Sequence, residues 1–249
     1  MSYGDMQSAN PYASFGTSVA DSPADARVAF IRKTYTHLAI AVYACAALCW
    51  AMFSLGIVDS FAPMLLTNRL YWLGVLGVFM VVSWIAQGMA ENRTSIGKQY
   101  IGLCLYVLAW SLMLCPVLWI AQRFSISYGG GQFGVIETAG VITLVMFGGL
   151  TAIAWTSRVD FSFMRAGLIM AGFGAMALIV CAMLFNFDLG PLFSGAMIVL
   201  ASGYILYDTS NVIHKYEPGQ HVAASVALFG SVALLFWYVL QLLMSMSRD

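Results

Sequence analysis

Charged side chains are scarce in this chain, at 9% of its 249 residues. Soluble domains usually carry about 25%. Eleven Lys and Arg residues balance eleven Asp and Glu residues, and no run of basic residues is present to hold nucleic acid. So few charges cannot cover a water-exposed surface of this size. The composition therefore excludes a soluble globular domain and argues against a nucleic-acid partner.

Cysteine is also sparse and has no pattern typical of a metal site or a disulfide framework. The five residues all lie within apolar blocks: Cys45, Cys49, Cys104, Cys115 and Cys181. None has zinc-ligand spacing, and none lies in a loop where disulfides usually form. We interpret them as small apolar packing residues, and the sequence predicts neither a metal site nor a cofactor.

Long apolar runs are what the sequence does contain. Each is about 20 residues long, enough to cross a bilayer as a helix. The seven runs cover 34–56, 70–90, 99–121, 135–156, 164–185, 191–213 and 222–246. Short loops join them, so we predict an all-α membrane protein with seven transmembrane helices surrounded by lipid.

The first 26 residues differ from the rest in being small and polar. They have neither a basic start nor an apolar core, so we expect no cleaved signal peptide. We predict a disordered cytoplasmic tail over 1–30 and a seven-helix transmembrane domain over 31–249.

Loop charges predict the orientation. With a cytoplasmic N-terminus, eight basic residues fall inside and three outside, as the positive-inside rule requires. The inside set is Arg27, Arg32, Lys33, Arg93, Lys98, Arg158, Arg165 and Lys215, and the outside set is Arg69, Arg123 and Arg248. An odd number of spans then places the C-terminus outside.

Asp208 is an acid near the end of the sixth apolar run. Tyr204, Asn211 and Lys215 share its helical face, because the spacings are four, three and four residues. An ionisable residue inside a span is a candidate functional group. Asp208 is therefore either a proton-sensitive group on a polar path into the bundle or an acid that caps the helix end.

Small or weakly polar residues recur in two other spans. Gly167, Ala171 and Ala175 predict a close helix contact in the fifth span. In the seventh span, a residue at every seventh position forms a seam: Ala224, Ser231, Tyr238 and Ser245. We interpret both patterns as packing surfaces.

Two acids near the membrane surfaces have alternative interpretations. Glu137 begins the fourth span, where an acid either complements the helix dipole or serves as an accessory ion site. Asp160, two residues after Arg158, precedes the fifth span. We expect Asp160 to cap that helix, with an ion port formed by Arg158 and Asp160 as the alternative.

Enzyme chemistry finds no support in the sequence. Tyr207-Asp208 matches the Tyr-Asp of intramembrane aspartyl proteases, but span seven supplies no second acid. Ser202 is not in a Gly-x-Ser sequence, span seven has no lysine for retinal, and no nucleotide-binding loop is present. We therefore expect that the protein is not an enzyme.

Three stretches resemble the transmembrane Bax inhibitor-1 family, in a bacterial-type form. They are "RVAFIRKTYTHLAIAV" (27–42), "FGGLTAIAWTSRVDFSFM" (147–164) and "YILYDTSNVIHKYEP" (204–218), and "HVAASVALFGSVALLFWYVL" (221–240) continues the similarity. The resemblance implies a seven-helix bundle with a central seventh helix. It also implies a pH-sensitive calcium leak in which acids on spans six and seven share a proton.

Asp208 matches the first acid of that pair, and Ser231 occupies the position of the second. A hydroxyl cannot share a titrating proton with a carboxylate, so a coupled two-acid titration is absent. Two functions remain open. One is a leak gated through Asp208, with Ser231, Asn211 and Tyr204 around it and calcium as the permeant ion.

The other function that remains open is that of a non-conducting regulator of membrane proteins, such as a modulator of a membrane quality-control protease. In either case, we expect a multi-pass protein of the bacterial inner membrane.

Overall fold

The computed structural model describes residues 18–127, 134–157 and 159–246, without the side chains of Asp21, Leu66, Arg69 and 124–127. These residues form eight α-helices and two short 3-10 helices (Val19–Asp21 and Phe161–Met164), and contain no strand. The helices are α1 (Ala24–Ser54), α2 (Ile57–Thr67), α3 (Arg69–Ala90), α4 (Ile96–Ser127), α5 (Val135–Thr156), α6 (Arg165–Phe185), α7 (Gly190–His214) and α8 (His221–Met246).

The prediction of seven spanning helices is confirmed. Seven of the described helices, all except α2, are long and apolar enough to cross a membrane. Most of their ends agree with the predicted spans to within a few residues, because short polar loops mark where the apolar runs stop. The protein is an all-α membrane bundle.

The first helix begins inside the segment predicted as a tail. α1 starts at Ala24, and before it Val19 is fully buried and donates its backbone N–H to the Tyr216 carbonyl at 2.8 Å. The predicted boundary at 30 is therefore too late: this contact anchors the segment from residue 18 to the α7–α8 loop. Residues 1–17, the rest of the predicted tail, lie outside the described residues.

Helix α2 is an addition that the hydropathy pattern did not predict, because its 11 residues are too few to span a membrane. Gly56 separates it from α1 with φ of 69°, a left-handed conformation that glycine adopts without strain. The Asp59 carboxylate accepts a hydrogen bond from the Trp119 indole at 2.7 Å. This bond fixes α2 across the end of α4.

Helix α8 lies at the centre of the bundle and contacts α1, α3, α4, α5 and α7. Helix α6 instead packs on α7, and a cavity separates it from α8, so five spanning helices rather than six surround the centre. Helix α4 is as deeply buried as α8. The bundle therefore has two buried helices.

The predicted small-residue line in the fifth span is wrong for two of its three members. Gly167 and Ala171 are exposed, and no atom would contact a side chain at Gly167. The real contact is made by α7, where a Cβ on Gly203 would lie 2.8 Å from Leu168 Cδ2. Small residues face lipid as readily as a neighbouring helix, so the pattern alone did not identify the contact face.

The seven spans divide the loops between two faces. We call the face where α1 begins the amino face and the face where α8 ends the carboxy face. The loops that follow α3, α5 and α7 lie on the amino face, together with Lys98, Arg165 and Lys215. Arg123 lies on the carboxy face. This distribution agrees with the predicted alternation of spans.

Candidate functional site

Asp208 lies within α7 near the amino face, at the contact between α7 and α8. Its side chain is buried, and its carboxylate Oδ2 accepts a short hydrogen bond from the Ser231 hydroxyl on α8. The two residues are 23 positions apart in the sequence. Folding therefore joins the acid of one span to the Ser231 hydroxyl, at the position where the resemblance implies a second acid.

The other predicted neighbours of Asp208 have different surroundings. The Tyr204 hydroxyl donates to the Leu168 carbonyl of α6 at 2.9 Å, so this group fixes α7 to α6. Asn211 is buried, but no hydrogen bond joins it to Asp208 among the described residues, and its Oδ1 has no partner. Of the candidate hydrogen-bond donors Ser231 and Asn211, the structure therefore joins Ser231 to the Asp208 carboxylate.

Buried polar atoms without a hydrogen-bond partner are concentrated in the half of the bundle nearest the amino face. Seven of the eight such atoms in the described chain belong to Thr34, Tyr35, Ser83, Thr151, Thr209, Asn211 and His221. Buried polar groups nearly always have a partner in the protein or in bound water. We therefore expect water in this half of the bundle, close to Asp208.

The two signature stretches after the fourth span and at the end of the sixth meet on the amino face. Ser210 Oγ accepts from the Phe161 N–H at 3.1 Å and lies 3.4 Å from Asp160 Oδ1. Ser210 also lies beside His214, one turn further along α7. Sequence reasoning missed Ser210, although its position beside Thr209 in the signature was a usable signal.

Asp160 is an N-cap, as predicted. Its carboxylate accepts from the Ser162 N–H at 2.9 Å and from the Ser162 hydroxyl, at the start of the 3-10 helix that leads into α6. The side-chain hydrogen bond from Ser162, followed by its backbone N–H, lowers the pKa of this exposed carboxyl. The cap is therefore charged at neutral pH.

The remaining two accessory candidates are not joined to Asp208. Arg158 lies outside the described residues. Glu137 is exposed in the first turn of α5, on the carboxy face and so at the opposite side of the membrane domain from Asp208. This position agrees with a helix-dipole role for Glu137.

Further contacts hold the loops of the amino face together. Arg93 forms an ion pair with Glu217 at 2.9 Å, joining the α3–α4 loop to the α7–α8 loop. Next to it, burial raises the pKa of the Tyr216 phenol, whose carbonyl accepts from Val19. These contacts fix the positions of three segments of the amino face close to Asp208.

A cavity of about 640 Å³ extends inward from the carboxy face between α6 and α8. Asp188 and Ser245 lie among the residues near its mouth, and Leu234 and Tyr238 of α8 line its wall. Leu234 is three residues beyond Ser231, a rise of about 4.5 Å along the helix. The cavity therefore ends within about one turn of the Asp208–Ser231 contact.

Tyr106 of α4 forms a second close contact with α8 that the sequence did not reveal. Its hydroxyl lies directly against Gly230, where a Cβ would also meet the ring carbons Cε1 and Cζ at 3.2 Å. Only glycine fits there without a shift of the tyrosine. Gly230 adjoins Ser231, so this contact fixes α8 at the height of the hydrogen bond to Asp208.

The family model for the inhibitor of apoptosis-promoting Bax1 matches residues 27–248. The chain belongs to the Bax inhibitor family. The Bax inhibitor 1 of Schizosaccharomyces pombe is 28% identical to this family member, over 91% of the present chain and 80% of the yeast protein.

The Golgi anti-apoptotic protein of vaccinia virus strain Lister is 26% identical over 92% of this chain and 90% of its own length. An uncharacterised protein of Pseudomonas aeruginosa is 36% identical over a shorter match, 43% of this chain and 49% of that protein. These relatives extend the family resemblance across nearly the whole of this Bax inhibitor family member.

Proposed function

We propose that this protein is a proton-gated cation leak with calcium as the permeant ion, and that the Asp208–Ser231 hydrogen bond is its gate. The observation that carries the proposal is the burial of one carboxylate at a helix contact. Asp208 is the one acid among the described residues that is buried inside a spanning helix. Burying an ionisable group inside a membrane-spanning helix costs free energy, and a residue that does so is by default a candidate functional group.

The surroundings of the gate suggest a path with two halves. On the amino-face side lie the buried polar atoms without partners, including Thr209 and Asn211. On the carboxy-face side, the cavity reaches Leu234. The contact of α7 with α8 separates these two regions. A small separation of the helices at Asp208 would connect them.

The chemistry of the hydrogen bond supplies the gating. An ionised carboxylate accepts a stronger hydrogen bond than a neutral carboxylic acid does. The charged form of Asp208 therefore holds α7 against α8 through Ser231, and protonation weakens that hold. The leak is closed while Asp208 is charged, and it opens as the pH at the amino face falls.

The oxygen atoms along this path are suitable ligands for calcium. It is a hard cation that prefers oxygen ligands, and the path offers hydroxyl, amide and carboxylate oxygens. With Ser231 in place of a second acid, the negative charge at the narrowest point is small. We infer weak binding and passage of calcium rather than a retained ion, with no bound cofactor and no enzymatic reaction.

We place the protein in the bacterial inner membrane with the amino face in the cytoplasm. The basic residues on that face support this orientation. Matches to an uncharacterised protein of Pseudomonas aeruginosa and an uncharacterised membrane protein of Vibrio cholerae support a bacterial setting.

The test is calcium flux into liposomes that contain only the purified protein and an enclosed calcium dye. The proposal expects flux that rises as the external pH is lowered. Asp208→Asn removes the titrating group while keeping the shape, so its flux should be independent of pH. Asp25→Asn changes an exposed acid in the first turn of α1 and should behave like the wild type.

Two results would overturn the proposal, the first for the leak and the second for its gate. One is an absence of cation flux at every pH in liposomes that contain folded protein. The other is an unchanged pH profile in Asp208→Asn. The first result would favour the non-conducting regulator, and the second would make Asp208 a structural helix-end residue.

A further inference from the structure

Three of the five cysteines lie together between α1 and α4, far in sequence from Asp208. Cys45 and Cys49 are one turn apart on α1, and Cys115 faces them from α4. All three are buried free thiols. Met52, half-buried, follows on α1 close to its end at Ser54.

Contacts across α1 and α4 hold the group together. Ser111 Oγ lies 3.3 Å from Cys45 Sγ, and it also donates to the Val107 carbonyl, so Cys45 has a hydroxyl partner. The Cys49 thiol donates to the Ser111 carbonyl at 3.7 Å, one turn before Cys115 on α4, and the Cys115 thiol donates to Met52 Sδ at 3.8 Å. Two thiols and one thioether therefore lie at the same contact between the helices.

The distance between Cys115 Sγ and Met52 Sδ suits two of three sulfur ligands around one metal ion. Metal–sulfur bonds of about 2.3 Å in a trigonal plane place the sulfurs about 4 Å apart. The distance between Cys115 Sγ and Met52 Sδ is close to that value without rearrangement. No three His, Cys, Asp or Glu residues of the described chain form a metal-binding group, so a sulfur site at this contact requires the Met52 thioether as its third ligand.

We propose that Cys49, Cys115 and Met52 bind a soft monovalent cation, Cu(I) or Ag(I). Thiolate and thioether ligands select such ions. On binding, both thiols release their protons to water as their sulfurs bond the metal, because cysteine binds metals as the thiolate, and the oxidation state does not change. The ion offsets one of the two thiolate charges. Zn²⁺ needs four ligands in a structural site.

The carboxy face offers access to this site. Trp119, one turn beyond Cys115 on α4, donates to Asp59 at the start of α2. Asp59 and Arg123 both contact Trp119, so an acid and a base lie at this end of α4. Met52 is the most exposed of the three ligands. The site involves α1 and α4, so it does not depend on the proposed gate between α7 and α8.

The experiment is a titration of the detergent-purified protein with Cu(I) under reducing, oxygen-free conditions against a competing chelator. We expect retention of a single equivalent, with sulfur-to-copper charge-transfer absorption in the near ultraviolet. Cys49→Ser and Cys115→Ser should each abolish retention. Met52→Leu should weaken it at least about tenfold, the lower end of what disturbing a metal's ligand shell costs.

Matched controls come from the same chain. Cys104→Ser changes an exposed thiol on α4, and Cys181→Ser a thiol on α6, so both should retain copper like the wild type. Melting temperatures show that each variant is folded. The proposal fails if wild-type protein retains no copper, if folded Cys49→Ser or Cys115→Ser binds as well as the wild type, or if Cys104→Ser loses binding equally.

Discussion

The Ser231 hydroxyl of α8 donates a hydrogen bond to the Asp208 carboxylate of α7, and both side chains are buried. This contact makes Ser231 a direct probe of the gate. In Ser231→Ala the buried carboxylate loses its donor, at a cost of about 1–3 kcal/mol in stability. We expect a lower melting temperature and, at neutral pH, a calcium flux above that of the wild type.

Ser231→Asp creates the acid pair that the resemblance associates with calcium leaks. Two carboxyl groups in contact titrate as a coupled pair, so the flux should depend on pH over a wider range than in the wild type. Flux measured from pH 5 to 8 in liposomes checks this range. An identical pH profile for Ser231→Asp and the wild type would contradict the gate assigned to this contact.

The packing of Tyr106 on Gly230 gives a prediction about stability. Gly230→Ala would place a methyl group against the Tyr106 hydroxyl and ring, and overpacking of this kind costs about 1–3 kcal/mol. Adding Tyr106→Phe removes the closest atom and should restore part of the loss in melting temperature. Gly174→Ala, where no atom lies within 4 Å, is the control and should be neutral.

Asp160 gives a prediction that separates capping from ion passage. Asn also caps helices well, so Asp160→Asn should cost little stability, whereas Asp160→Ala should lose about 1 kcal/mol. Thermal melting in detergent measures both. A large loss of flux in folded Asp160→Asn would instead support the ion port.

The pH dependence of the Asp160 cap follows from its lowered pKa. A depressed pKa in the folded state stabilises the fold above the unperturbed value of about 3.9. That contribution disappears only as the pH falls through the lower folded value. The cap therefore stays intact between pH 5 and 8, so a flux change in that range should persist in Asp160→Asn.

The orientation gives a further prediction. A reporter fused to the N-terminus should be cytoplasmic and one fused to the C-terminus should be outside, because seven spans place the termini on opposite sides. Reporters that are active only in one compartment measure this directly. Two termini on the same side would contradict the number of spans.

Much of the architecture followed from the sequence because the bilayer imposes a simple rule. A backbone in lipid must form its own hydrogen bonds, so each long apolar run becomes a helix whose ends are set by polar loops. The Asp160 cap could also be predicted, since a cap depends on neighbours within a few residues. Helix α2 could not be predicted, because its 11 residues are too few to span a membrane.

The sequence by itself determined the seven spans, their alternation and the isolation of Asp208 as an acid within an apolar run. Only the tertiary structure decided which side chains meet. It joined Ser231 to Asp208, directed Tyr204 to α6, turned Gly167 to the exterior and brought Cys115 beside Met52. Periodicity defines the face of one helix, but contacts between helices depend on how each one rotates against its neighbours, and side-chain packing sets that rotation.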